Sequence, residues 1–198
     1  MKLTTEDIHG LGVAFNEATL LGAEVATSRH ICCITLAVLA LPPEGPKPED
    51  SRLQIILHPV GRVAASLRHG QWDDEKAEVE PFDIEKLLNI VQSFHGLPIY
   101  GWEFLDTPEE KFTRWSKRLS LDWQGDPSDM IHNLTLFQDG SPQRILDLRI
   151  WFRGIEFRRP SGEDVPIGTV IADGKRWWDG LYSGDPRTQG QGIFPLEK

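Results

Sequence analysis

The chain has 198 residues, 39% of them apolar and 26% charged, and a formal charge of −9 from 21 Lys and Arg against 30 Asp and Glu. This composition describes a single folded domain over residues 1–198 that buries a core without disulfide or metal staples, and it excludes a disordered chain. The acidic balance repels phosphate backbones and anionic lipid at long range, so no nucleic acid and no membrane surface is expected as a partner.

The N-terminus carries polar Thr4-Thr5-Glu6-Asp7 after Lys2, where an export signal would be apolar. Adjacent Cys32 and Cys33 project to opposite faces of any strand and cannot form an ordinary structural disulfide. Both observations fit a reducing, cytoplasmic setting. The longest apolar run, Ile31 to Leu41, falls short of the roughly 20 residues that cross a bilayer as a helix. Gly10-Leu11-Gly12 begins like a dinucleotide fingerprint, but the third Gly and the preceding strand are missing.

Strands are predicted at 20–25 and 30–41, the second apolar on both alternating sets and therefore central. Residues 42–50 (PPEGPKPED) form a Pro-rich surface loop. From Arg52 to His69, two alternating runs flank Pro59-Val60-Gly61, which predicts a hairpin pairing His58 with Arg62. That register gathers Leu53, Ile55, Leu57, Val63, Ala65 and Leu67 on one face. Arg52, Gln54, His58, Arg62, Ser66 and Arg68 fall on the other, with Ile56 and Ala64.

Ile84, Leu87, Leu88, Val91 and Phe94 predict a helix over 83–95, closed by Gly96 and Pro98. An aromatic strand over 99–105 follows. Thr107-Pro108-Glu109-Glu110 has the form of a capping box and opens a helix over 107–118 striped by Phe112, Trp115 and Leu119. A second hairpin joins 131–138 to 144–152, with Leu134, Leu136, Leu146, Leu148 and Ile150 facing the core, and its second strand resumes at 155–158 past a bulge at Gly154. The final helix, 166–182, is expected to break at Asp173-Gly174 and carries an apolar set of Trp177, Trp178, Leu181 and Tyr182, ahead of an extended tail at 183–198. Several strands followed by a helix occur twice, as element order without a residue-level repeat. The fold class is α+β: a predominantly antiparallel sheet of hairpins with about three helices packed on one side, curved enough to leave a groove.

No short motif of a nucleotide-binding, metal or nucleophilic enzyme is present, so no cofactor and no metal is expected. His30 and Cys32 share a strand face, but no second close pair accompanies them. Two function classes stay open. The first is a non-catalytic binding module for a protein partner or a small anion. Its candidate surfaces are the face carrying Arg52, Gln54, His58, Arg62, Ser66 and Arg68, with guanidinium forks suited to carboxylate or phosphate, and a groove lined by Trp177 or Trp178. The more ordinary account of the Arg-rich face is the wet side of an antiparallel sheet, its cations paired to the chain's many acids. The second class is a small hydrolase or isomerase with a dispersed His and carboxylate site, for which His58 and His132 are the first acid/base candidates.

Overall fold

A computed structural model describes residues 2–99, 104–126, 129–140, 143–190 and 193. Within them an antiparallel sheet of seven strands is built around two long ones: β3 (Arg52–His69) and β7 (Arg144–Arg158), which pair along most of their length. On the far side of β7 lies β6 (His132–Gly140). The other edge of β3 is shared in series. β2 (Ile31–Ala37) pairs with residues 52–57, β5 (Leu121–Gln124) with 62–65 and the short β4 (Glu78–Val79) with 68–69. β1 (Thr19–Ala26) completes the row by pairing with β2.

The hairpin predicted at Pro59-Val60-Gly61 does not form. β3 runs through these residues as one strand, with a register shift between Val60 and Arg62, and His58 pairs with Gly154 instead of Arg62. Both of its flanks find a longer partner in β7 than they would in each other. Pro59 offers no N–H, and the neighbouring groups are satisfied from outside the ladder: the Val60 amide donates to the His30 carbonyl at 2.7 Å and the Gly61 carbonyl accepts from Gly125 at 2.9 Å. The interruption therefore sits where β2 ends and β5 begins. Because the register shift restores the alternation, both predicted face sets survive. The residues of each set lie end to end along about 50 Å of strand, at about 3.3 Å per residue, and not side by side.

The apolar face carries Leu53, Ile55, Leu57, Val63, Ala65 and Leu67, joined by Leu134, Leu136, Leu146, Leu148 and Ile150 from the hairpin of β6 and β7, the predicted core-facing set, while pairing runs further into the turn than expected, to Gly140 with Arg144. β7 continues past Gly154 without a bulge of its own; the irregularity lies across from it in β3. β2 lies inside the sheet between β1 and β3, as its composition predicts, but it is fully buried on one face only. Cys32, Ile34 and Leu36 are buried, whereas the alternate residues stay half-exposed.

Three helices cover this face. α1 (Thr5–Phe15) contributes Leu11 and Phe15, α2 (Leu87–Gln92) contributes Leu87 and Val91, and α4 (Ile167–Ser183) contributes Val170. α1 opens on a capping box between Thr4 and Asp7. α4 runs unbroken through Asp173-Gly174. A Cβ at Gly174 would lie 2.6 Å from the Cα of Ala14, so this glycine lets α4 pack closely on α1 and is not a helix stop. The fourth helix, α3 (Glu109–Thr113), is shorter than expected and packs on the opposite face through Phe112.

The two edge strands converge on one carbonyl. That of Leu97 accepts from the Leu20 amide of β1 at 3.2 Å and from Gln138 Nε2 of β6 at 3.1 Å, so the sheet is strongly curled. Of the aromatic strand expected at 99–105, Tyr100 and Trp102 lie outside the described residues. Ile99 bonds the Ala18 carbonyl and Phe104 accepts from Thr135, one on each edge. Of the tail expected at 183–198, residues up to Gly190 include a 3-10 turn at Pro186–Thr188, from which Arg187 reaches the Gly45 carbonyl in the Pro-rich loop. No helix among the described residues is long and apolar enough to cross a membrane.

Candidate functional site

On its outer face, the sheet has two different coverings. Beside β1 and β2 the outward side chains of β3 meet solvent. Beside β5 they run under α3, and there the outward set Arg62, Ala64, Ser66 and Arg68 faces Asp147, Arg149 and Trp151 of β7.

α3 is held down by cations from below. Arg149, although 1% exposed, donates from Nη2 to the Thr107 carbonyl at 2.9 Å and from Nη1 to the Pro108 carbonyl at 3.2 Å, and it lies 3.2 Å from Glu109. Its guanidinium also lies 5.2 Å from the Trp151 ring centre, with Arg62 at 4.9 Å from the same ring. The predicted capping box is absent because the Thr107 hydroxyl turns away from the helix, bonding Asn133 at 3.0 Å and Thr135 at 2.7 Å. Glu109 and Glu110 in the first turn suit the positive end of the helix dipole.

Past α3 the two layers part, leaving an open cleft of about 810 Å³. Its floor is an ion pair between Arg68 of β3 and Asp147 of β7, their side chains 5% and 14% exposed. Burial pushes the Asp147 carboxyl up to about 6, against the pull of Arg68, Arg118 and Arg114, which favour the charged form. Arg68 Nε is buried without an acceptor among the described residues. One wall is basic, formed by Lys111, Arg114 and Arg118 from α3 and the turn after it. Facing them, the loop that follows β3 supplies Trp72, Asp73 and Glu75. Trp115, Phe104 and Phe137 add aromatic surface, and Trp72 is 56% exposed. Arg118 ties the walls together by donating to the Asp74 carbonyl at 2.8 Å, while its own carbonyl accepts from Ser66 Oγ at 2.6 Å. Arg114 is exposed and its side chain forms no hydrogen bond or ion pair among the described residues.

Of the residues singled out in the sequence, Arg68 lines this cleft and Ser66 supports it. Arg62 lies outside, bidentate to Asp122 at 2.7 and 2.9 Å. Arg52 and His58 lie on the far half of the strand, bonded to Asp50 at 2.8 Å and Glu156 at 2.8 Å, with Gln54 half-buried between them. Trp177 and Trp178 lie away from this cleft. They pack edge to face at 4.9 Å in a cluster with Leu41 and Leu181, and Trp178 Nε1 donates to the Val13 carbonyl.

His132 is 4% exposed. Its Nε2 accepts from the Leu3 amide, which places the proton on Nδ1, donated to Asp106 at 2.8 Å; both nitrogens serve the fold. His30 sits against the Trp123 ring with Nδ1 3.3 Å from the Val60 carbonyl, while burial raises the Cys32 thiol. Among the described residues, no three His, Cys, Asp or Glu side chains are grouped to hold a metal ion.

Sequence patterning missed the cleft's acid and most of its cations. Lys111, Arg114 and Arg118 recur at helical spacing beside the Phe112 and Trp115 stripe, a signal that was available. Asp147 gave none, because an outward polar residue on an alternating strand looks like solvent-facing surface. Comparison of the chain with family models, curated proteins and solved structures finds no match.

Proposed function

We propose that this chain is a non-catalytic binding module of the cytoplasm and that the cleft beside α3 takes a small anionic ligand. The observation that carries the reading is the presence of an exposed Arg114, with no side-chain bond among the described residues, and a buried Arg68 in one concave site of a size typical for small molecules. A buried ion pair is weak evidence of a stability role, since apolar replacements of similar volume are often as stable; a pair kept at a cleft floor is better explained by what it binds. The free thiols of Cys32 and Cys33 are compatible with a reducing compartment.

Thermal shift against phosphate, sulfate and small mono- and dicarboxylates tests the proposal. Wild type and Arg62→Ala should be stabilised by at least one anion, and Arg114→Ala much less. Equal responses of Arg114→Ala and wild type across the panel would sink it.

One observation favours a catalytic reading. The Asp147 carboxyl, raised to about 6 in a cleft, has the poise of a general acid or base. On that reading Asp147, and neither His58 nor His132, is the acid/base group of a hydrolase or isomerase. Product formation by wild type and not by Asp147→Asn, followed by NMR on any ligand that binds, separates the two.

A further inference from the structure

We infer that the ligand of this cleft is a nucleoside monophosphate, because buried donor and acceptor groups, aromatic walls, a carboxylate pair and a basic wall that includes the exposed Arg114 line the same cavity. The inference rests on the anion-binding reading above and names its ligand.

Each part of such a ligand meets a matching chemistry. A planar base has donors and acceptors along one edge. At the floor, Arg68 offers guanidinium donors and Asp147 offers a carboxylate that Arg68 engages through Oδ2. Base faces stack on aromatic rings, which Trp72, Trp115, Phe104 and Phe137 provide. The exposed Trp72 is the ring that can close over a bound base with least disturbance to the fold. A ribose diol donates to carboxylates, the role acidic residues take in dinucleotide sites, and Asp73 and Glu75 stand on the same loop as Trp72. A phosphate needs guanidinium or ammonium groups, present on the opposite wall as Arg114, Arg118 and Lys111.

A plain inorganic anion leaves most of this lining unexplained. Phosphate would use the basic wall, while Asp73 and Glu75 would repel it and the aromatic surface would contribute nothing. An apolar ligand would leave the Arg68–Asp147 pair buried against it without partners, which is costly. The global charge of −9 does not oppose the reading, because it acts at long range and is screened within about 8–10 Å at physiological salt, whereas the cleft's cations act in contact.

Isothermal titration of the full chain with AMP, GMP, CMP and UMP tests the inference, run beside the corresponding nucleosides, ribose 5-phosphate and inorganic phosphate. At least one monophosphate should bind about tenfold or more tightly than both its nucleoside and ribose 5-phosphate. Arg114→Ala should weaken that monophosphate about tenfold and leave the nucleoside unchanged. Trp72→Ala, which alters an exposed side chain and leaves the core intact, should weaken monophosphate and nucleoside alike by roughly fivefold or more and leave ribose 5-phosphate unaffected. If phosphate or ribose 5-phosphate binds as tightly as every monophosphate, the nucleotide inference is overturned and the anion-binding module stands. If no member of either panel binds, both are overturned.

Discussion

The two ends of one face of β3 make an instructive contrast. Arg52 and Arg68 project from the same side of the same strand and each pairs with one aspartate, yet the Arg52 side chain is 53% exposed and that of Arg68 is 5% exposed. The difference is not written in the strand. It comes from α3, which Arg149 and the Trp151 stack dock over the half of the sheet beside β5, while among the described residues nothing comparable covers the half beside β2. A pair in water contributes about 0–1 kcal/mol, because the solvated ions lose little when they separate. A pair taken out of water is held by necessity, since either member left alone is a buried charge.

The largest expected effect follows at the covered end. Arg68→Met, with Asp147 left in place, should lower unfolding free energy by about 3–5 kcal/mol at pH 8 in denaturant titration. The cost should shrink toward pH 5, where the stranded carboxyl takes up a proton. Arg68→Met combined with Asp147→Leu should recover most of the loss while abolishing anion binding. If the single variant costs no more than an exposed pair, the cover provided by α3 is looser than the distances indicate.

In the wild type the same carboxyl gives a pH signature. Its folded value of about 6 lies above the ordinary 3.8, so the folded chain binds this proton more tightly than the unfolded one. The contribution of Asp147 to stability is therefore greatest below about pH 4 and is lost as pH rises through about 6. Asp147→Asn should remove that slope, as read from the difference between the two stability curves. Asp50 points the other way: its bonds to Arg52 pull it down to about 2, so its contribution is present above the ordinary carboxylate value and fades only in acid. Opposite slopes at the two ends of one strand face would confirm the contrast, and parallel ones would break it.

A smaller effect is expected from Arg149→Lys. A single ammonium cannot span the Thr107 and Pro108 carbonyls as the guanidinium does, nor stack equally well on Trp151. A loss of about 1–3 kcal/mol should follow. Amide exchange should rise over 107–119 and stay unchanged over β1 and β2, which tests whether α3 opens as a local unit.

How far the sequence foretold this arrangement depends on the range of the interaction concerned. Period-two alternation is local, so the two faces of β3 and the core-facing set of β6 and β7 were legible from residue order. The turn at Pro59-Val60-Gly61 was misplaced because the same residues mark either a hairpin loop or an irregularity in a long strand, and the deciding partner, β7, lies some ninety residues away. α1 escaped notice although Thr4 and Asp7 form its capping box; Gly10 and Gly12 weaken the helical pattern. Gly10 is there for packing, since a Cβ at that position would lie 2.6 Å from Ile171 of α4. The cleft was the least legible part. Its floor needs β3 and β7 in register, its basic wall needs α3 on the outer face, and no window of sequence contains both.

The smallest effect should be that of Arg52→Ala. Among the described residues Arg52 makes as many side-chain hydrogen bonds to its aspartate as Arg187 does, with Nε to both carboxylate oxygens and Nη2 to one, at 2.8 to 3.2 Å. Counted as contacts, it should matter more than Arg68. Counted as a change of environment it should matter little, because both partners stay about half exposed, the pair is only two residues apart in sequence and water replaces each bond as it breaks. A loss close to the error of the same denaturant titration, shrinking further in high salt, is the expected outcome. A loss comparable to that of Arg68→Met would mean that hydrogen-bond number, and not removal from water, ranks the ion pairs of this sheet.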